Sequence, residues 1–239
     1  MVTPSEQYAE LAELAGGFIH EIKNHLSTLG LNLQLLADDF AEPQNPRERR
    51  AVTRIQKLQG ECQRVVEVSN NFLRFARAQE LKTRPTALNQ LIEELLDFFA
   101  PAAQQAGIEI RSFVSADLPR VSVDQELIKQ ALLNLMLNAQ QAMPSGGQLT
   151  MQATNEPDPP PGSIVLTLID TGAGMTPEVL GKIFRPFFST RPGGTGLGLA
   201  TTRKIIRAHG GSIDVQSEAG RGTKFSIRLP CPDLVSDAS

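Results

Sequence analysis

Residues 17–24 place a histidine directly before a carboxylate, in a segment with helical periodicity. The segment reads Gly-Phe-Ile-His-Glu-Ile-Lys-Asn, so Glu21 follows His20. Apolar residues recur at steps of three, four and seven, at Leu11, Leu14, Phe18, Ile22, Leu29, Leu33 and Leu36. At about 100° per residue, His20 lies about 200° from Phe18, whereas His25 falls within the stripe. His20 is therefore predicted to face solvent or a partner, where an imidazole can act as a nucleophile or carry a proton.

Two later segments carry side chains suited to a nucleotide. Asn134 and Asn138 are four residues apart, so their amides share one face of a predicted helix. An amide oxygen is a hard ligand suited to Mg²⁺. Asp170 ends a predicted strand and is followed by Gly172 and Gly174. A carboxylate in this position can accept a proton from the adenine amino group, and the glycines allow the base to approach the backbone.

Two further segments are rich in glycine. Between Phe184 and Leu199, prolines and glycines predict a mobile loop whose glycines 193–198 open a helix. Free N–H groups at a helix start favour phosphate, and Arg191 could reach a γ-phosphate. The segment from Gly220 to Thr223 is a tight turn entering a strand. The spacings match neither a Walker A loop nor a dinucleotide-binding motif, yet together the four segments predict an ATP site.

The elements that must position these residues fall into two parts. Helices near Ser5–Phe40 and Arg47–Leu81, joined by a short loop, predict an antiparallel hairpin. One hairpin cannot cover both apolar stripes, which favours a homodimer in the form of a four-helix bundle. Packing of the hairpin on its own C-terminal domain is the alternative. The domains expected are residues 1–83 and 84–232, with a hinge near Arg84-Pro85 and a disordered tail at 233–239.

The second part has a mixed pattern. Its expected helices lie near Leu88–Ala100, Gln125–Ala142 and Gly196–Ala208. Its expected strands lie near Ile108–Val114, Gln148–Ala153, Ile164–Asp170, Ser212–Ser217 and Thr223–Leu229, with a proline-rich hairpin loop at 155–162. Helices and mostly antiparallel strands in this order predict an α+β sandwich.

Composition narrows the function classes. The 239 residues carry a net charge of −3, so the composition shows no basic excess of the kind that binds nucleic acid or an anionic membrane. No apolar run approaches the ~20 residues needed to span a bilayer, and no signal peptide opens the chain, so we expect no membrane span and a cytoplasmic protein. Cys62 and Cys231 lack metal-ligand spacing and are expected to stay reduced.

The chain from about Ala9 to Pro230 resembles a bacterial two-component sensor histidine kinase. His-Glu-Ile-Lys-Asn at 20–24 is similar to the nitrogen-regulation branch. The resemblance implies an all-α hairpin that dimerises, followed by a two-layer α+β sandwich of the ATPase type shared with gyrase, Hsp90 and MutL. By this resemblance His20 is the phosphoacceptor, Glu21 its general base, and Asn138 the residue that holds Mg²⁺. The implied nucleotide-binding residues are Asn134, Asn138, Asp170, Gly172, Gly174, Arg191, Gly194, Thr195, Gly196, Leu197, Gly198 and Thr223.

The resemblance also implies activity and partners. The chain is expected to phosphorylate His20 from ATP and pass the group to an aspartate of a response-regulator receiver domain, with input from within the cell or from a separate sensory protein. Asn24 shares a face with His20, so a phosphatase activity toward the receiver is a further hypothesis; the alternative is that Asn24 is a surface polar residue. Leu31 and Leu35, apolar on this side, would suit a receiver or a second bundle seam.

Two positions depart from the family, and three other functions compete. The family usually has Pro where His25 stands, so bending of the first helix is expected to be weaker, and it often has an acidic residue where Arg185 stands.

An ATP-driven conformational machine would need a carboxylate in the asparagine helix, where this chain has Gln130 and Leu133. A non-catalytic dimeric scaffold and a serine-directed anti-sigma kinase are the remaining alternatives.

Overall fold

A computed structural model describes residues 4–76, 81–156, 162–191 and 194–231. The side chains of residues 4–18, 20, 74 and 76 also lie outside the description. The tail at 233–239 and most of the predicted proline-rich loop lie outside it as well. The chain divides into two units: residues up to 79 together with 191–197, and residues 80–190 together with 198–239.

The elements follow the predicted order. The helices are α1 (Pro4–Asp38), α2 (Pro46–Ala76), α3 (Leu88–Gln105), α4 (Gln125–Ala142), α5 (Pro177–Leu180) and α6 (Gly198–Ala208). The strands are β1 (Arg84–Thr86), β2 (Ile108–Val114), β3 (Val121–Val123), β4 (Gly147–Glu156), β5 (Ser163–Asp170), β6 (Ser212–Glu218) and β7 (Gly222–Pro230).

The first unit is a hairpin of α1 and α2. Ile19, Leu33 and Ile55 are buried between the helices, because their spacing places them on facing stripes. The second helix begins at Pro46 because Asn45 caps it: its Oδ1 accepts from the backbone N–H of Glu48 at 3.0 Å. The Glu48 carboxylate in turn accepts from the N–H of Gln44 at 2.6 Å, which completes a reciprocal cap.

Six large apolar side chains are exposed among the described residues of the hairpin: Leu31, Leu35 and four others. Within the single chain, these four are Leu29, which is 49% exposed, Leu36 (43%), Leu58 (53%) and Val65 (43%). Two of the four lie on α1 and two on α2. His25, predicted to lie in the bundle core or at its rim, is exposed in the single chain.

The second unit is an α/β sandwich. Its main sheet has the order β2-β4-β5-β7-β6, with β2 and β4 parallel and the other pairs antiparallel. Helices α3, α4 and α6 cover it. The largest fully buried side chains of the core include Ile92, Ile128, Leu132, Leu135, Met151 and Leu166.

A second, two-stranded sheet was not predicted. Arg84 of β1 pairs with Val123 of β3, and Pro85 pairs with Ser122. Arg84 and Pro85, expected at the hinge, are therefore held in a ladder of the second unit.

Candidate functional site

Asp170 lies at the carboxyl end of a central strand, β5. It is 3% exposed, and its Oδ1 accepts a hydrogen bond from the backbone N–H of Gly172 at 2.9 Å. On the neighbouring strand β7, Thr223 stands directly opposite Asp170 in the ladder. A buried carboxylate at a strand end is a directed acceptor for a ligand that can donate a proton. This arrangement fits the predicted role of Asp170 toward adenine.

The glycines beside Asp170 are required by close approach of backbone to backbone. At Gly172, a Cβ would lie 2.7 Å from the carbonyl oxygen of Ala142 at the end of α4. At Gly174, with φ of +62°, a Cβ would overlap the carbonyl oxygen of Glu218. The backbone N–H of Gly220 donates to the carbonyl of Ala173 at 2.7 Å, which holds the two loops together. Three chain segments thus meet around Asp170 without intervening side chains.

Thr223 is oriented by a residue that the sequence analysis missed. The Ser217 hydroxyl donates to the carbonyl oxygen of Gly222 at 2.8 Å, so its proton is already committed. The Thr223 hydroxyl lies 3.0 Å from Ser217 and must therefore donate to it. Thr223 consequently offers oxygen lone pairs to other groups. It stands opposite Asp170 in the ladder, and its support of Asp170 stays a prediction. No sequence motif marks Ser217, because only its pairing in β6 brings it here.

The asparagine helix meets the glycine-rich helix start. Asn134 and Asn138 are both half-buried on α4. The Asn134 amide Nδ2 donates to the carbonyl oxygen of Gly198, the first residue of α6, at 3.4 Å. The Thr202 hydroxyl, fully buried, donates to the same carbonyl at 3.1 Å. The asparagine segment and the glycine-rich segment are thus joined by a direct hydrogen bond. The N–H groups of the first turn of α6 lie next to this contact.

The donor set of α4 fits Mg²⁺. Amide oxygens are hard ligands, and Mg²⁺ in proteins takes few protein ligands because water and phosphate oxygens complete its shell. Within the described residues, no group of three histidine, cysteine, aspartate or glutamate side chains could hold a metal ion. Asn138, with Asn134 one turn before it, stays the predicted protein ligand on this helix.

The remaining glycine-rich residues belong to the first unit. The residues concerned are Arg191, Gly194, Thr195, Gly196 and Leu197. Within the segment, the N–H of Gly194 donates to the carbonyl of Arg191 at 3.2 Å, and the N–H of Leu197 to the hydroxyl of Thr195 at 3.4 Å. Their assignment to the nucleotide site stays a prediction.

The base of this loop is clamped by α6. Arg203 donates from Nη2 to the carbonyl oxygen of Phe184 at 3.1 Å, and its guanidinium stands 5.0 Å from the centre of the Phe184 ring. Burial, and secondarily the charge of Arg207, lowers the pKa of Arg203. Three residues beyond Phe184, Phe187 adopts a φ of +64°, which is unfavourable for a side chain of this size.

The phosphoacceptor segment lies within α1. The backbone of His20 is helical, and its side chain lies outside the described part; Glu21 and Asn24 are exposed. One turn later, the hydroxyl of Ser27 donates to the carbonyl of Lys23 at 2.8 Å and that of Thr28 to the carbonyl of Asn24 at 3.1 Å. Bonds of this kind often bend helices slightly.

Comparisons with known proteins place most of the second unit in a known ATPase family. Residues 123–233 match the family described as histidine kinase-, DNA gyrase B-, and HSP90-like ATPase. The chain is 33% identical to the signal transduction histidine-protein kinase AtoS of Escherichia coli over 95% of its own length and 36% of that protein. It is 36% identical to the sensor histidine kinase ZraS of Klebsiella oxytoca over 94% of its own length and 47% of that protein. The chain thus spans less than half of either relative.

Solved structures give the same result. Full-length ShkA in complex with AMPPNP has a TM-score of 0.73 and 28% identity, over 92% of this chain and 46% of that one. The histidine kinase ThkA, in complex with the response regulator TrrA, has a TM-score of 0.65 and 25% identity, over 91% of this chain and 61% of that one.

Among the described residues, no helix is both long and apolar enough to cross a membrane. The match over residues 123–233 includes Asp170, its glycines and the α4 asparagines. The relatives and the solved structures extend the likeness through the hairpin. Residues 123–233 therefore belong to the histidine kinase-, DNA gyrase B-, and HSP90-like ATPase family, and the chain is similar to bacterial sensor histidine kinases over 94–95% of its own length.

Proposed function

We propose that this chain transfers the γ-phosphoryl group of ATP to His20 and then passes it to an aspartate of a response-regulator receiver domain. The observation that carries the proposal is the meeting of Asp170, its glycine turns and the Asn134–Gly198 contact in one unit. That unit follows a helix with His20 and Glu21 in the same chain.

The second unit supplies nucleotide recognition. Asp170 accepts a hydrogen bond from the adenine amino group, and Gly172 and Gly174 let the surrounding backbone segments pack closely beside it. Asn138, with Asn134 beside it, holds Mg²⁺, which when bound neutralises charge on the phosphates. The first N–H groups of α6 face the phosphates, and Arg191 adds charge at the γ-phosphate.

The hairpin supplies the acceptor. A neutral imidazole attacks the γ-phosphorus in line; the P–N bond forms as the bond to the bridging oxygen of ADP breaks. The attacking nitrogen must carry a lone pair, so the proton sits on the other ring nitrogen. Glu21, next in sequence, accepts that proton or holds the reactive tautomer.

We further infer that two hairpins form a four-helix bundle. Leu29, Leu36, Leu58 and Val65 are between 43% and 53% exposed in the single chain, which is costly for side chains of this size. In a two-fold dimer, the same face of a second hairpin would pack against these side chains and cover them. ThkA, a structural neighbour, was solved in complex with a response regulator, which supports a receiver domain as the second partner.

A phosphatase activity toward the receiver is a second candidate. Asn24 is exposed one turn after His20, and Leu31 and Leu35 are 62% and 57% exposed near its face. A receiver docked there would bring its phosphoaspartate to the Asn24 amide, which could orient a hydrolytic water. Asn24→Ala should then lose phosphatase activity and keep autophosphorylation. Equal decay of phosphoreceiver with wild type, Asn24→Ala and no enzyme would remove this candidate.

The kinase is tested with γ-labelled ATP and two histidine variants. Acid-labile label on the protein is expected for wild type and for His25→Gln, and none for His20→Gln, while all three bind ATP equally. Label on the His20 variant would refute the acceptor assignment. Release of free phosphate without labelled protein would indicate an ATPase instead, and acid-stable label a hydroxyl acceptor.

A further inference from the structure

One hydrogen-bonded cluster of the second unit has no part in the chemistry above. It centres on Asp124, the residue that precedes α4. The Asp124 Oδ1 accepts from the backbone N–H of Leu127 at 3.2 Å, which caps the helix that carries the two asparagines. The Oδ2 of the same carboxylate accepts from the backbone N–H of Lys82 at 3.1 Å. Lys82 is the second described residue after the hairpin.

Asp124 also reaches the other helix of the nucleotide site. Its backbone N–H donates to Nε2 of His209 at 3.0 Å, just beyond the end of α6. Because Nε2 accepts this bond, the ring proton lies on Nδ1, which donates to the carbonyl oxygen of Ile205 at 2.8 Å. His209 is 9% exposed, and both of its nitrogens are used.

The side chain of Gln125, next to Asp124, also connects the start of α4 to β1. Gln125 accepts a hydrogen bond from Arg84 of β1 and donates to the hydroxyl of Thr86 at 3.1 Å. Thr86 is 2% exposed, so the strand entering the unit is fixed beside the start of α4. The entering segment, the asparagine helix and the glycine-rich helix therefore meet at a single residue.

We propose that Asp124 is a positioning residue that couples the segment leaving the hairpin to the nucleotide site. The proposal rests on the proposed nucleotide site, and it does not require phosphoryl transfer. One carboxylate serves both the entering segment and the cap of α4, so displacement of Lys82 changes the cap. Nucleotide held between α4 and the start of α6 tightens both helices, which in turn favours the Lys82 bond. By linkage, each event strengthens the other by the same factor.

The variant Asp124→Asn should lose the hydrogen bond to Lys82 while it keeps the cap of α4. Asparagine caps helices as well as aspartate does, so its Oδ1 can keep the bond to the N–H of Leu127. Its NH₂ group cannot accept from Lys82, and two donors would face each other. Asp97→Asn removes the same charge from an exposed position on α3 and serves as the control.

The readout is amide hydrogen exchange at Lys82 in the full chain, labelled with ¹⁵N-lysine, with and without magnesium and AMPPNP. Lys82→Arg, which keeps the N–H, identifies the signal. Nucleotide should slow exchange at Lys82 by about fivefold or more in wild type and in Asp97→Asn, within the usual range for coupled sites. It should leave exchange unchanged in Asp124→Asn, whose melting temperature should stay close to that of wild type.

Reciprocity gives the second measurement. Asp124→Asn should weaken AMPPNP binding by a factor similar to the change in Lys82 exchange, whereas His209→Gln, which keeps an acceptor for the Asp124 N–H, should not. An unresponsive Lys82 in wild type, or the same response in Asp124→Asn, would overturn the coupling and leave the nucleotide site standing. Failure of wild type to bind AMPPNP would overturn the proposed function itself, and the coupling with it.

Discussion

Alanine substitutions at two glycines near the β6–β7 turn distinguish the free-energy cost of backbone strain from that of a steric clash. Gly220 has φ of +80° and Gly222 φ of +89°, so alanine is disfavoured by similar backbone strain at both. Around Gly220 a Cβ would meet nothing within 4 Å. At Gly222 a Cβ would overlap the carbonyl oxygen of Asp170 and lie 2.9 Å from its carbonyl carbon. Gly220→Ala is thus a matched control for Gly222→Ala.

The magnitudes follow from these geometries. A left-handed conformation costs an alanine about 1–2 kcal/mol, and this is the whole effect expected for Gly220→Ala. Overpacking adds about 1–3 kcal/mol in well-packed sites, so Gly222→Ala should lose about 2–5 kcal/mol in total. Because the displaced carbonyl belongs to Asp170, the carboxylate should shift as well. Nucleotide affinity should therefore fall in the Gly222 variant and stay near that of wild type in the Gly220 variant.

The assay must report on the second unit. The chain has no tryptophan and one tyrosine, so unfolding is better followed by circular dichroism than by intrinsic fluorescence. Urea titration with and without ADP gives the stability and the nucleotide linkage together. Equal destabilisation of the two variants, or unchanged ADP affinity in Gly222→Ala, would refute the view that close backbone approach shapes the site.

Three other perturbations test separate contacts. Arg203→Met removes a charged hydrogen bond and a cation–π contact with Phe184, so the ATP-binding unit should lose about 1–3 kcal/mol in urea titration, while exposed Arg207→Met should change little. His209→Leu leaves the N–H of Asp124 without its acceptor and should lower the melting temperature more than His209→Gln does. Val65→Glu should convert the dimer to a monomer or unfold the hairpin, as light scattering and circular dichroism would show; a stable dimer would contradict the bundle.

Long periodic elements were predictable from the sequence, and short paired ones were not. The predicted limits of the asparagine helix, Gln125–Ala142, and of the strand Ile108–Val114 agree with those observed. Each has enough turns or alternations for its periodicity to stand out. Strands β1 and β3 have three residues each, too few for a pattern, and β1 contains a proline. Their pairing depends on residues nearly forty positions apart.

For the site, sequence identified the residue types and structure identified their partners. Asp170 and its glycines were expected because a carboxylate beside glycines is recognisable along the chain. Ser217 accepts a hydrogen bond from the Thr223 hydroxyl, and His209 accepts one from the backbone N–H of Asp124. Both contacts join strands or helices that are distant in sequence. Nothing in their sequence neighbourhood distinguishes them from ordinary surface residues.

The close backbone contacts at the glycines near Asp170 leave the surroundings of this carboxylate built largely from main chain. A main-chain surface keeps its shape when side chains change, and Gly172, Gly174 and Gly222 tolerate no larger residue without displacing a neighbouring segment. An antibacterial compound that gained its affinity from these carbonyl and amide groups would leave the target few escape routes by point substitution. Resistance would have to arise at the rim, where side chains are free to vary.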